Sequence, residues 1–186
     1  MATKLAFNVD QYYEMAESGI IGEDERVELI EGEIVKMSPI GVRHASCVNR
    51  LVSLFGQAFG KKIILGIQNP IRLSAYSEPQ PDIALLKPKA DFYADAHPSP
   101  ADILLIVEVA DTSIGYDRET KVPLYARAGI PEMWLVDLVA ENVSVYSGPV
   151  RGEYTQAKQL KRDEHVVASV FRDFVVPVDD ILGPAR

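Results

Sequence analysis

The stretch from Ile103 to Asp137, ILLIVEVADTSIGYDRETKVPLYARAGIPEMWLVD, leaves this chain little freedom in how it folds. Its first eight residues, ILLIVEVA, are apolar at odd and even positions alike, the pattern of a strand covered on both faces. A polar loop follows, then a helical segment carrying Lys121 and Tyr125, a stop at Gly129, and MWLVD as a second buried strand. One ionisable residue, Glu108, sits inside the first strand. A carboxylate among Ile, Leu and Val loses several kcal/mol, roughly, of hydration unless a cation meets it, either a structural arginine or a metal.

The remaining composition bounds the class. At 186 residues the chain is long enough for one domain with a substantial core, taken here as residues 1–186. No apolar run reaches the length of a membrane span, and MATKLAFNVDQYY lacks a signal-peptide apolar region, so a cytoplasmic protein is expected. Cys47 is the single cysteine, which excludes an internal disulfide and a cysteine-built zinc cage. The net charge of −8 and a pI of about 4.9 argue against a general nucleic-acid coating protein, whose affinity comes from Lys and Arg on phosphate. They leave room for an enzyme that touches DNA at one metal-filled cleft.

Taken in order, the chain opens with a helix expected over Val9–Ser18, capped by Asn8 with Gln11 in the capping-box position and stopped by Gly19. RVELIEGEIVKM reads as a hairpin turning at Glu31-Gly32, with Glu28 sharing a face with Ile30. From Arg43 to Phe59 apolar residues recur at helical spacing, and Gly60 ends them. KKIILGIQNPIRL supplies one or two strands. After the Pro-rich interruption at residues 78–81, DIALL is a short buried strand with Asp82 at its mouth. Residues 87–100 read as a surface excursion. Beyond the central unit, NVSVYSG, YTQAKQL and HVVAS read as a meander, and PVDDIL as a closing turn or helix. The sum is a mixed β-sheet with helices packed on it, an α/β or α+β fold.

Four residues can carry chemistry together: Glu28, Asp82, Glu108 and Lys121. If the strands of Asp82 and Glu108 are neighbours, the two carboxylates meet at one edge of the sheet. A few carboxylate oxygens suit Mg²⁺ or Mn²⁺, which keep several waters and accept phosphate oxygens. Such an ion polarises a phosphodiester and activates water, and a nearby lysine positions that water or stabilises the growing negative charge.

The strings VELIEGEI, His44, QPDIALL, IVEVADTS and DRETKVPLYARAGIPEMWLVD together resemble a large bacterial family of restriction-endonuclease-like proteins in the PD-(D/E)XK nuclease superfamily. The resemblance runs from about Phe7 to Tyr146, and the last string is its most specific part. It implies a nuclease core with Asp82 after Pro81, Glu108 on the next core strand and Glu28 as a supporting acid. A metal-dependent deoxyribonuclease using Mg²⁺ or Mn²⁺ follows, with Asp82, Glu108 and Glu28 around the ion. One position departs from the superfamily pattern. The residue two after the strand acid is Ala110 where a lysine is usual, and the resemblance suggests that the lysine has moved to Lys121 on the following helix.

Plainer readings stand beside these. Glu28 can pair with Arg26 or Lys36 across the hairpin. Lys121 can pair with Asp117 on a helix surface, worth roughly a few tenths of a kcal/mol. Pro123 requires the helix to begin near Thr120 or to bend there. His44 can contact a phosphate or the metal site, or simply face solvent. Tyr125 and Trp134 read as core, and His97 and His165 carry no signal. There is no P-loop and no dinucleotide fingerprint. Ala110 and the acidic charge favour a second class of function, a nuclease fold without catalysis that binds DNA or protein as a regulator. The enzyme reading predicts a local basic rim around the cleft, and a homodimer suits the cutting of both strands.

Overall fold

The computed structural model describes residues 5–171 and 173–185. At its centre is a six-stranded sheet built from β3 (Ile64–Ile67), β4 (Ile83–Leu86), β5 (Ile103–Ala110), β6 (Glu132–Asp137), β7 (Asn142–Val150) and β8 (Glu153–Lys161), in that spatial order. Every neighbouring pair is antiparallel except β5 and β6, which are parallel. The exception has a direct cause: parallel neighbours need a crossover, and the helical segment between Ile114 and Arg127 is that crossover.

The unbroken apolar run of β5 feeds two layers. Leu105, Val107 and Val109 enter one core with Cys47, Val48, Leu51 and Phe55 of α2 (Val42–Phe59). Ile106 and Ala110 enter the other, with Met133, Leu135 and Tyr125. Fully burying a Val, Leu or Phe side chain contributes about 1.5–3 kcal/mol each, so this strand and its helices dominate the core.

Around the sheet, α1 (Val9–Glu17) starts at Asn8, whose side chain accepts from Gln11 N while the Gln11 side chain accepts from Asn8 N. The hairpin of β1 (Val27–Ile30) and β2 (Glu33–Lys36) turns through Glu31 and Gly32, both at positive φ. A Cβ at Gly32 would lie 2.6 Å from the Cβ of Ala6, so only glycine fits there. Val27 and Leu29 pack on α1, while the Glu78 N–H donates to Leu29 O at 2.8 Å. That bond docks the hairpin on the segment leading into β4 and turns Glu28 toward the sheet end.

One expectation changes. HVV does not continue the meander: β9 (His165–Val167) pairs antiparallel with β10 (Val175–Pro177) in a separate two-stranded sheet, followed by α5 (Val178–Leu182). KKIILGIQNPIRL, expected to give one or two strands, gives one, β3. Among the described residues no helix is long and apolar enough to cross a membrane.

Candidate active site

Antiparallel pairing of β4 and β5 sets Ile83 opposite Val107. The start of β4 therefore meets the end of β5, which brings Asp82 against Glu108. The Asp82 N–H points at Glu108 Oε2 across 3.4 Å, and the Val109 N–H donates to Asp82 Oδ2 at 2.8 Å. Gln68 Nε2 donates to Asp82 Oδ1 at 3.2 Å. His44, one turn into α2, lies with Nε2 3.0 Å from Asp82 Oδ2.

Lys121 enters from the crossover helix. Its Nζ is 3.1 Å from Glu108 Oε1 and 3.2 Å from Glu28 Oε2. The surface pairing of Lys121 with Asp117 is overturned, because both residues are buried. Nor does Glu28 pair with Lys36, which reaches Glu25 instead at 3.1 Å. Besides Lys121, Glu28 accepts from the Gln80 N–H at 3.1 Å. Ala110 lies on the same face of β5 as Glu108, closed in by the core.

The crossover helix starts neither near Thr120 nor with a simple bend at Pro123. It begins as α3 (Ile114–Tyr116), widens into a π-helical turn over Asp117–Lys121 and continues as α4 (Val122–Arg127). Pro123 lacks an N–H, and its ring would crowd the carbonyl four residues back, so a normal α-helical register is unfavourable there. The wider turn directs both Asp117 and Lys121 inward, and such turns recur at functional sites. Ser113 Oγ donates to Asp117 Oδ2 at 2.5 Å.

Sequence reasoning missed Tyr125 as a site residue. It is fully buried, and its hydroxyl donates to Glu108 Oε1 at 2.6 Å. Spacing alone gave a signal, since Tyr125 lies one helical turn after Lys121. Tyr116 was missed as well; its Oη is buried in the cleft wall with no hydrogen-bond partner among the described residues, and the same is true of His44 Nδ1.

Electrostatically the site has more acids than cations. Glu28, Glu108 and Asp117 surround one ammonium, and Asp82 lies beside Glu108. Burial pushes the Glu108 carboxyl up to about 8, with Lys121 pulling it down and the neighbouring acids raising it. Burial raises Asp117 too, against the Ser113 hydrogen bond. Burial works against the charge on Lys121, but Glu108 and Glu28 outweigh it and hold the ammonium above its ordinary value. For His44, burial is outweighed by the hydrogen bond and charge of Asp82, which raise its pKa.

These groups floor a cleft of about 460 Å³. Its rim is mixed rather than basic: Arg26 and Lys36 line it, but so does Asp111, and Arg43 is engaged with Asp111 at 3.4 Å and with the Leu138 carbonyl. Among the described residues no three His, Cys, Asp or Glu side chains stand as a ready-made metal cage. Asp82 and Glu108 do form a two-carboxylate set. Such a set suits a hydrated divalent ion that completes its shell with water and phosphate oxygens, and the surplus of acid matches the charge it would bring.

Comparison with known proteins adds to this geometry. The Uma2 family model, described as "Putative restriction endonuclease", matches residues 9–179. A crystal structure of "a putative nuclease belonging to DUF820 from Anabaena variabilis" superposes with a TM-score of 0.73 at 15% identity. The superposition covers 95% of this chain and 97% of that one, and establishes a shared fold. No curated protein matches.

Proposed function

This chain belongs to the Uma2 family, and from that premise we propose that it is a Mg²⁺- or Mn²⁺-dependent endonuclease hydrolysing DNA phosphodiester bonds. The observation that carries the reading is the meeting of Asp82 and Glu108 at one sheet end, with the Lys121 ammonium 3.1 Å from Glu108. Asp82 and Glu108 would hold the ion, with Glu28 assisting through Lys121. When bound, the ion supplies a Lewis acid for the phosphate and lowers the pKa of a coordinated water.

What the chain's own residues do follows from their charge states. Lys121 is held protonated by its acid neighbours, so it acts as a fixed positive charge and hydrogen-bond donor rather than as a base. Hydrolysis forms one bond from water oxygen to phosphorus and breaks one to an ester oxygen, with extra negative charge on the non-bridging oxygens between. An ammonium at the cleft floor stabilises that charge. Tyr125 and Gln80 fix the two acids on either side of Lys121, so the ammonium stays aimed. His44 and Gln68 fix Asp82 in the same way.

The test is nicking of supercoiled plasmid by the purified chain in Mn²⁺, Mg²⁺ or EDTA, with Glu108→Ala and Lys121→Ala alongside. Metal-dependent nicking lost in both variants is expected. Nicking that survives Glu108→Ala would show that the activity belongs to another site or another protein. Ala110, closed into the core where a lysine is usual, favours a second reading, a nuclease fold that binds without cutting. Calorimetric Mn²⁺ titration separates the two, because carboxylate-dependent binding belongs to the enzyme.

A further inference from the structure

Three lysine and arginine side chains line the cleft, Arg26, Lys36 and Lys121, and two of them are already committed. Lys121 Nζ lies between Glu108 and Glu28, and Lys36 Nζ holds Glu25 at 3.1 Å. Arg43, close by, is engaged with Asp111 and the Leu138 carbonyl. Arg26 is different. Among the described residues its guanidinium, with five N–H donors, makes no hydrogen bond and no ion pair. Glu28, two residues away, is taken by Lys121 and the Gln80 N–H.

The backbone under Arg26 is fixed. The Met37 N–H donates to Arg26 O at 2.8 Å, which carries the β1–β2 ladder one residue beyond Val27. Alternation along that ladder sets Arg26 on the face of Glu28, about 6–7 Å along the strand from it. Val27 O is held from two sides, by Tyr12 Oη at 3.1 Å and by Gln80 Nε2 at 3.0 Å. A half-buried guanidinium thus projects from a rigid edge of the cleft, one strand repeat from the acid that meets Lys121. That offset is comparable with the step from one phosphate to the next along a nucleic-acid strand. The guanidinium fork suits a phosphate, whose oxygens accept two parallel N–H bonds. A chain of net charge −8 has no broad attraction for phosphate, so one uncommitted cation at the cleft carries a large share of it.

We infer that Arg26 is a substrate-binding residue whose guanidinium holds the DNA backbone phosphate next to the one that reaches Glu108 and Lys121. This inference rests on the nuclease reading above and applies to a duplex and a single strand alike. A backbone contact of this kind positions the strand and carries no sequence preference.

The test measures binding of a labelled DNA duplex by fluorescence anisotropy, in a fixed concentration of Ca²⁺ and across a series of salt concentrations. Wild type is compared with Arg26→Gln, with Arg26→Lys, and with Lys62→Gln, which removes an exposed cation outside the cleft. Arg26→Gln should weaken binding about tenfold, the worth of a charge-assisted hydrogen-bonded pair. Its affinity should also depend less steeply on salt, the log–log slope falling by up to about 0.9, one phosphate contact's share. Arg26→Lys keeps the charge without the fork and should fall between the two, while Lys62→Gln should match wild type. An Arg26→Gln chain with wild-type affinity and salt slope would overturn the contact. Equal weakening by Lys62→Gln would overturn it too, because any lost positive charge would then count alike. So would a wild-type chain that binds no DNA at the lowest salt. Plasmid nicking by wild type in Mn²⁺ decides the nuclease reading separately, so the two failures stay distinct.

Discussion

The hydroxyl of Tyr125 donates a 2.6 Å hydrogen bond to Oε1 of Glu108, joining the crossover helix to the end of β5 inside the core. Glu108 Oε1 is also the oxygen nearest Lys121 Nζ, so one carboxylate oxygen is held from two sides by residues one helical turn apart. Tyr125→Phe removes the donor and keeps the ring. It is expected to lower stability by about 1–3 kcal/mol, the worth of a buried hydrogen bond to a carboxyl group, and to weaken Mn²⁺ binding by loosening Glu108. Urea unfolding and calorimetry read the two effects. A variant unchanged in both would mean that Tyr125 only fills space.

Removing Lys121 has a larger consequence. Glu28 and Glu108 are both buried, and each has Lys121 as its ion-pair partner. Lys121→Met leaves two buried acids facing each other, a loss of about 3–5 kcal/mol for breaking such a cluster. Adding Glu28→Gln to the same chain removes one of the two stranded acids and should recover part of that loss. Denaturant midpoints of wild type, single and double variants test this. If the double variant is no more stable than Lys121→Met, the two acids are not the source of the cost.

Glu108 also predicts how metal-free stability depends on pH. Its folded-state pKa is raised from an ordinary 4.5 to about 8, so the folded protein holds a proton that the unfolded chain has lost. The contribution is present in full below pH 4.5 and is lost as pH rises through about 8. Glu108→Gln cannot lose that proton. Its stability relative to wild type should therefore climb steadily between pH 5 and pH 8 in EDTA, as followed by urea midpoints at three pH values in that window. Parallel midpoints for the two proteins across this window would show that Glu108 does not titrate there.

Much of this site was legible in the residues, and the reason is physical. An acid inside ILLIVEVA must be partnered, and Asp82 at the head of another buried strand is a natural neighbour once strand pairing is assumed. The capping box at Asn8 and the glycine turn at Gly32 rest on local chemistry, and both were readable for that reason. Contacts set by tertiary packing were not. His44 meets Asp82 across 38 residues, and nothing in its local pattern distinguishes it from a solvated helix-start histidine. Pro123 signalled a disturbed helix but not its form, because the π turn depends on how Lys121 and Asp117 reach inward. HVV alternates like any strand, and only the neighbours it finds decide that it leaves the main sheet for β10.

Ala110 allows the displaced lysine to be tested by moving it. Residues 108 and 110 share a face of β5, so a side chain at 110 projects into the layer that holds Glu108, Lys121 and Tyr125. Ala110 is 1% exposed, so a lysine there must find its room inside the core. Ala110→Lys alone should cost at least about 1–3 kcal/mol from overpacking, and more from a second buried ammonium beside the first. Lys121→Ala opens volume in the same layer and leaves Glu28 and Glu108 short of positive charge. In Ala110→Lys/Lys121→Ala the new amine meets both needs, so the double variant should be more stable than the sum of the two single losses allows. A double-mutant cycle on urea midpoints measures this coupling, and about 1 kcal/mol or more of favourable coupling is expected. Additive losses would mean that an amine at 110 does not reach the acids, and that a lysine serves them from the helix but not from this strand position.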